Sequence, residues 1–454
     1  MGMNENRKIF VAGTGKSGIA ASKLILKLGG KVLLYNSDPD TDREKVLSNF
    51  GPEDDVELVT GSLYPGHLRP CSLALVSPGI DLNSKIGDTI RKSELPVIGE
   101  LELGFQAAKG KTVAITGTNG KTTTTALTGE LLRCKYADVK VAGNIGTPFS
   151  DVALLTSDSS VSVLEVSSFM LETIADFHPF VSAILNITPD HLDRHGSLAN
   201  YIEVKKQIIR NQTEDDFVVL NYDDDVLRDF GQSGIRPHVI WFSSKTEPDG
   251  EAVFTRDGKI YTKEDGIVSE LTEVGRLKII GRHNYENACA AAAIALKMSV
   301  SRSDVVKGLS EFSAVPHRIE FVRERCRVRY YNDSKGTNTD AAIQALLSMP
   351  GQVVLIGGGY DKGSEFDDWV KLFPGKVKCL ILIGSTRNKI LECCRKYGFR
   401  SVVFADDMQE AVMTASSYAD DGDFVLLSPA CASWDMFKNF EERGDVFKKC
   451  VMEL

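Results

Sequence analysis

The sequence lacks any C-x-x-C pair among its nine cysteines, and the neighbouring Cys393-Cys394 cannot both serve one structural zinc in the usual spacing. The cysteines read as reduced thiols, mostly in the core. No apolar run approaches the roughly 18 residues that a membrane span requires, so no membrane segment is expected. Met1-Gly2-Met3-Asn4-Glu5-Asn6 carries neither an apolar signal region nor the Ser or Thr at position 6 that myristoylation wants, and a cytoplasmic protein is expected. Positive charge is also in deficit. A net charge of -9 argues against general nucleic-acid binding, so an anionic substrate must be held by local Lys, Arg and helix ends rather than by the global field. Short-period repeats and low-complexity segments are missing too.

What is present fits a soluble enzyme: 454 residues, 43% hydrophobic and 25% charged, a length that suggests about three domains. Continuous apolar runs alternate with helix-length segments from end to end. They include Ile9–Ala12, Val32–Tyr35, Leu73–Val76, Val113–Ile115, Val161–Leu164, Val181–Leu185, Val353–Ile356, Leu380–Ile383 and Phe424–Leu427. Runs of this kind suit parallel strands covered on both faces, so the class is α/β. Candidate joints at Ala107-Ala108-Lys109-Gly110 and Ser313-Ala314-Val315-Pro316 divide the chain into 1–108, 109–314 and 315–454. Between Ala252 and Thr262, alternation around Asp257-Gly258 predicts a hairpin, a small antiparallel excursion on the central domain.

Two glycine-rich turns carry the chemistry. Gly117-Thr118-Asn119-Gly120-Lys121-Thr122 follows a strand and precedes a helix beginning near Thr123, the arrangement of a phosphate-binding loop. Glycines let backbone N–H groups approach an anion, the helix N-terminus adds partial positive charge, Lys121 adds a full one, and Thr122 offers a hydroxyl to a phosphate-bound Mg²⁺. The longer loop pattern would need glycine where Ile115 stands, so this is a shortened variant. The second turn, Gly13-Thr14-Gly15-Lys16-Ser17-Gly18, matches G-x-G-x-x-G between a strand and a helix. Alone it suggests a nicotinamide dinucleotide, but Asn36 stands where the ribose-binding acid is usual, and such a turn holds any diphosphate, a nucleotide-sugar pyrophosphate included. Ser77-Pro78-Gly79 lines the same crevice or is a plain Pro-Gly turn. Two anion sites imply a bisubstrate reaction, ATP in the central domain and a phosphorylated acceptor in the first. Glu165 at the end of one strand and His191 after another are suitable Mg²⁺ or Mn²⁺ ligands when a phosphate completes the shell, though a lone His at a strand end is more often structural. Tyr201 and Lys205, at i and i+4, share one helix face aimed at those strand ends.

Taken together, these residues resemble the Mur ligase family of ATP-dependent amide-forming enzymes. The resemblance runs through Gly117–Thr122, Gly143-Asn144-Ile145-Gly146, Glu165–Phe169, Asn186–Asp193, Gly281–Asn287 and Asn332–Asn338. It implies Rossmann-like first and third domains and a central P-loop-type domain with a parallel sheet plus a small antiparallel one. The segment Leu427–Gly444 resembles the D-glutamate-adding branch, which implies UDP-N-acetylmuramoyl-L-alanine, D-glutamate and ATP as substrates, a monomer, and a role in peptidoglycan precursor synthesis.

The resemblance also assigns roles. Gly117, Thr118, Asn119, Gly120, Lys121, Thr122, Thr123, Asn284, Asn287, Arg318 and Asp333 would bind ATP. Thr122 would hold a first Mg²⁺; Glu165 and His191 would hold a second, supported by Lys205 as an N6-carboxylysine. Carbamylation turns a cation that repels Mg²⁺ into an anion that attracts it. Gly15, Lys16, Ser17, Asn36, Ser77, Pro78, Gly79, Asn144 and His191 would hold the UDP-sugar, with Asn36 in place of the Asp usual beside the uracil. For D-glutamate, Lys335, Thr337, Lys362, Ser433, Trp434 and Phe440 match, Trp434 standing where a smaller apolar residue is frequent. Two carboxylates on the incoming amino acid demand cations, which Lys335 and Lys362 can supply.

Overall fold

The computed structural model describes residues 8–144, 146–313, 315–361 and 363–454. The chain forms two compact units, Met1–Val274 with Glu286–Leu309, and Gly275–Tyr285 with Ser310–Leu454. The first unit holds two sheets and the second holds one.

The first sheet contains β1 (Lys8–Ala12), β2 (Lys31–Asn36), β3 (Val56–Thr60), β4 (Cys71–Val76) and β5 (Val97–Gly99), ordered β3-β2-β1-β4-β5 and parallel throughout. Alternate residues of β1 feed opposite cores: Ile9 and Val11 pack with Leu24 and Ile25 of the helix Lys16–Lys27, while Phe10 and Ala12 pack with Leu68 and Ile90. The chain order reverses between β1 and β4, opening a crevice at their carboxyl ends. The glycine turn follows β1 and Ser77 follows β4, so both sequence signals reach that crevice.

The second sheet has nine strands: β6 (Lys111–Thr116), β7 (Val139–Gly143), β8 (Val161–Glu165), β9 (Val181–Ile184), β10 (Phe217–Asn221), β11 (His238–Ser243), β12 (Ala252–Arg256), β13 (Lys259–Glu264) and β14 (Ile267–Glu273). Their order is β14-β13-β12-β11-β10-β9-β6-β8-β7. The expected hairpin is β12–β13, but its strands form no separate sheet. Backbone pairing of β11 with β12 in parallel makes β12, β13 and β14 the antiparallel edge of one continuous sheet. Strand β6, which delivers the phosphate loop, lies between β8 and β9, so the loop, Glu165 and the segment entering His191 leave adjacent strand ends.

The third sheet, in the second unit, contains β15 (Glu320–Arg325), β16 (Val328–Asn332), β17 (Val353–Gly358), β18 (Val377–Ile383), β19 (Val402–Phe404) and β20 (Phe424–Leu427), ordered β15-β16-β20-β17-β18-β19. Only β15 is antiparallel to its neighbour. Cores line both faces, one around Trp369, Phe373 and Leu355, the other around Ile356, Val412 and Phe447. Among the described residues, no helix is long and apolar enough to cross a membrane.

Candidate active site

The phosphate loop is built by β6, two glycines and the helix Lys121–Arg133. Gly120 caps that helix at φ +85°, and a Cβ there would fall 2.3 Å from Asn287 Oδ1, so only glycine fits. Asn287 Oδ1 also accepts from Thr124 Oγ1 at 3.2 Å, which ties the helix Arg282–Lys297 to the loop through a residue already assigned to the nucleotide. Asn186 fastens the other side. Its carbonyl accepts from Thr118 N–H and its Oδ1 accepts from Asn119 N–H at 2.8 Å. Thr118 Oγ1 lies 3.2 Å from Tyr201 Oη and accepts from Thr188 N–H at 3.0 Å, binding the loop to the segment that leads to His191.

Two lysine amines converge on one carbonyl. Lys121 Nζ donates to Gly117 O at 2.8 Å and to Thr118 O at 2.8 Å; Lys205 Nζ donates to Gly117 O at 2.9 Å. Lys205 is 1% exposed and sits 4.6 Å from the centre of the Tyr201 ring, as the i, i+4 spacing implied. Burial, reinforced by repulsion from Lys121, pushes its amine down to about 7. The same burial pushes Tyr201 up to about 12, so its phenol stays protonated. Two lysine amines drawn onto one carbonyl, one of them buried, concentrate positive charge where an entering anion is favoured.

Beside this pair, Glu165 ends β8 buried at 3% exposure, its Oε2 accepting from Thr122 Oγ1 and its Oε1 from Asn144 Nδ2, each at 2.9 Å. Thr122, Glu165 and Asn144 are thus one cluster, joining two residues assigned to metal and one assigned to the acceptor. This hard oxygen set suits Mg²⁺. His191 makes a different set of contacts. Its side chain is 51% exposed at φ +51°, 3.5 Å from Asp190 and with its ring centre 4.9 Å from that of Phe169. Among the described residues no three His, Cys, Asp or Glu side chains are grouped to hold a metal ion.

At the crevice of the first sheet, Gly15 caps the helix Lys16–Lys27, with Lys16 exposed and Ser17 half-buried at its opening. Gly13, at φ +107°, leaves room for Ser77, whose Oγ would lie 2.7 Å from a Cβ at that position. Ser77 Oγ is buried without a hydrogen-bond partner, an orphaned donor facing a glycine turn. Asn36 Nδ2 donates to Thr14 Oγ1 at 2.7 Å, so the residue that departs from the acidic pattern braces the turn itself. A cleft of about 460 Å³ runs from Thr14, Gly15 and Lys16 to Gly146 and Pro148, next to Asn144 in sequence. The Ser77-Pro78-Gly79 turn is held from across the unit by Arg194, which sequence reading did not single out. Its guanidinium donates to Pro78 O at 2.8 Å and Ile80 O at 3.0 Å.

In the second unit, Asp333 follows β16 and is 4% exposed; it accepts from Ser428 Oγ at 2.7 Å and from Ile319 N–H at 3.3 Å. Burial pushes its carboxyl up to about 7 against the pull of the nearby Arg318 guanidinium. Asn284 donates through Nδ2 to Ile280 O at 2.8 Å. Lys335 lies 6.0 Å from the centre of the Phe440 ring, and Thr337 follows in the same turn. Ser433 is 2% exposed, whereas Trp434 is 61% exposed against Tyr360, ring centres 5.6 Å apart. Lys362 lies outside the described residues, as does Ile145 of the Gly143–Gly146 motif. The organiser of this region is Arg443, also missed in the sequence. Buried at 1% exposure, it donates through Nε to Ser334 Oγ, through Nη2 to Ser334 O, and through Nη1 to Cys431 O and Ala432 O. One guanidinium therefore clamps the Lys335 turn to the Ser433 turn. An arginine in a charged helix stretch, Glu441-Glu442-Arg443, gives no sequence signal of burial.

The chain matches two family descriptions, the Mur ligase middle domain over residues 115–295 and the Mur ligase glutamate ligase domain over residues 317–431. It is 45% identical over 451 residues to a UDP-N-acetylmuramoylalanine–D-glutamate ligase of Lachnospira eligens, covering 99% of each chain. It is 44% identical over 452 residues to the enzyme of the same name from Thermoanaerobacter sp., again covering 99% of each. The fold is similar to that of a UDP-N-acetylmuramate–alanine ligase from Thermotoga maritima, with a TM-score of 0.60 at 18% identity over 98% of this chain and 99% of that one.

Proposed function

The chain belongs to the Mur ligase family, ATP-dependent enzymes that form amide bonds, and from that premise we propose that it joins D-glutamate to UDP-N-acetylmuramoyl-L-alanine in peptidoglycan precursor synthesis. The observation that carries this reading is end-to-end identity of 45% with a D-glutamate ligase. The site supports it locally, because a glycine loop with two lysine amines on one carbonyl is built to receive a triphosphate. The three-domain division 1–108, 109–314 and 315–454, a cytoplasmic location and a monomeric state belong to the same reading.

The γ-phosphate of ATP passes to the carboxylate of the L-alanyl acceptor, forming an acyl phosphate and ADP. The D-glutamate amine then attacks the acyl carbon, and phosphate leaves as the amide forms. Lys121 turns from the loop carbonyls to the phosphates, and the N–H groups at the start of the helix Lys121–Arg133 hold them. Asn284, Asn287, Arg318 and Asp333 complete the nucleotide contacts. Bound Mg²⁺ would neutralise phosphate charge and align the reacting oxygens; Thr122 would hold one ion, and Glu165, His191 and Lys205 as a carbamate a second. The Lys205 amine, at about 7, is neutral often enough to take up CO₂, which a lysine at its ordinary value is not. Ser77, Asn36 and the turn Gly15-Lys16-Ser17 hold the UDP-sugar, with Asn144 toward the acceptor carboxylate. Lys335, Thr337, Lys362, Ser433, Trp434 and Phe440 receive D-glutamate.

The test is phosphate release with UDP-N-acetylmuramoyl-L-alanine and ATP, offering D-glutamate, L-glutamate, L-lysine and diaminopimelate in turn. Release with D-glutamate alone is expected; release with another amino acid and none with D-glutamate overturns the reading.

A further inference from the structure

Arg194 is a long, charged side chain almost withdrawn from solvent, at 12% exposure, three residues beyond His191. Its Nη1 donates to Pro78 O and its Nη2 to Ile80 O, so its guanidinium holds the turn after β4 by two carbonyls. Nη2 also meets Glu172 Oε2 at 2.6 Å, and the guanidinium carbon lies 4.2 Å from the centre of the Phe169 ring. Phe169 in turn lies against His191. Glu172 is shared: its other oxygen is 3.5 Å from His195 Nδ1, and His195 Nε2 is 3.0 Å from Ser168 Oγ, three residues after Glu165. Burial holds the His195 imidazole below its usual range, so it serves this chain as a neutral hydrogen-bonding group.

The chain of contacts therefore starts at the Ser77-Pro78-Gly79 turn, divides at Arg194, and reaches both the His191 segment and the Glu165 strand end. We propose that Arg194 is a positioning residue that latches the acceptor-site turn to the two segments carrying Glu165 and His191, so that an acceptor bound at Ser77 arrives in register with the phosphate loop. This rests on the reading of the first-sheet crevice as the UDP-sugar site. The physical ground is the planar fork of arginine, which satisfies two carbonyls and one carboxylate at fixed angles; a lysine at this place can satisfy fewer of them and with no angular preference. Misplacing a reacting group by about 1 Å costs on the order of a hundredfold in rate, so a latch of this kind has kinetic consequences without touching substrate.

The experiment compares Arg194→Met and Arg194→Lys with the unaltered protein. D-glutamate-dependent phosphate release is measured with acceptor, ATP and D-glutamate varied separately, and UDP-N-acetylmuramoyl-L-alanine binding is measured alone by calorimetry. The expected result is a rise of about 10- to 100-fold in acceptor KM and Kd for Arg194→Met, a smaller rise for Arg194→Lys, and KM for ATP and D-glutamate within about twofold of the unaltered enzyme. A proportional loss toward all three substrates, an unchanged acceptor KM, or an unfolded Met variant alongside an unaltered Lys variant overturns the proposal. Failure of the unaltered protein to bind the UDP-sugar or turn over would instead strike the underlying reading.

Discussion

Replacing Lys205 with Met should stabilise the first unit while removing turnover, with a stability gain that depends on pH. The amine is 1% exposed and shares Gly117 O with Lys121, and burial takes it from 10.5 to about 7. A displacement of that size corresponds to on the order of 5 kcal/mol against the charged form. In the unfolded chain the amine keeps its proton up to its ordinary value. Below about 7 both states are charged, and the whole cost of burying the ammonium weighs on the fold. Above it the native amine is neutral while the unfolded one still binds a proton, so stability rises with pH by about 1.4 kcal/mol per unit toward 10.5. Methionine has a similar reach and no charge, and Gly117 O retains Lys121 as its donor. In CO₂-free buffer, urea unfolding near pH 6 should show Lys205→Met more stable by about 4 kcal/mol, allowing about 1 kcal/mol for the lost hydrogen bond. Near pH 8.5 that advantage should shrink by about 2 kcal/mol. Turnover should fall at least about a hundredfold at both pH values. A Met variant no more stable than the parent near pH 6, or an advantage that does not change with pH, would refute the reasoning.

Lys121→Ala, assayed for phosphate release at saturating ATP, should lose two to three powers of ten in kcat, roughly 3–4 kcal/mol of preorganised charge; near-normal turnover would remove Lys121 from the phosphate site. Gly120→Ala should destabilise the first unit by about 2–4 kcal/mol in thermal unfolding, since the left-handed backbone and the clash with Asn287 act together, and a loss under about 1 kcal/mol would contradict the geometry. For Asp333, whose carboxyl rises from 3.8 to about 7, the native state binds the extra proton between those values, so stability falls as pH rises through that window. Asp333→Asn should therefore gain stability over the parent near pH 8 but not near pH 4, while losing nucleotide-dependent turnover; equal stability changes at both pH values would count against a buried, burdened carboxylate.

Much of the phosphate chemistry could be read from order along the chain. Gly117–Thr122 and Gly13–Gly18 announce themselves because a strand, a glycine turn and a helix are consecutive, and consecutive residues need no tertiary information to be neighbours. The continuous apolar runs likewise marked the central parallel strands. Edge strands were harder: β3 and β15 carry Glu57, Arg323 and Glu324 on half-exposed faces, and a run broken by charges looks like loop until its partner is known.

The sequence by itself determined the class of fold, the two glycine turns and the residue types that meet phosphate, since these depend on local backbone geometry and on side chains a few positions apart. Only the tertiary structure decided which strand ends lie side by side, and with that the contact of Thr122 with Glu165 and Asn144, the sharing of Gly117 O by two lysines, and the burial of Arg194 and Arg443. The reason is that burial and electrostatics belong to pairs of residues distant in sequence. Lys205 near an ordinary surface has an ordinary amine; enclosed beside Lys121, it has one that gives up its proton near neutrality.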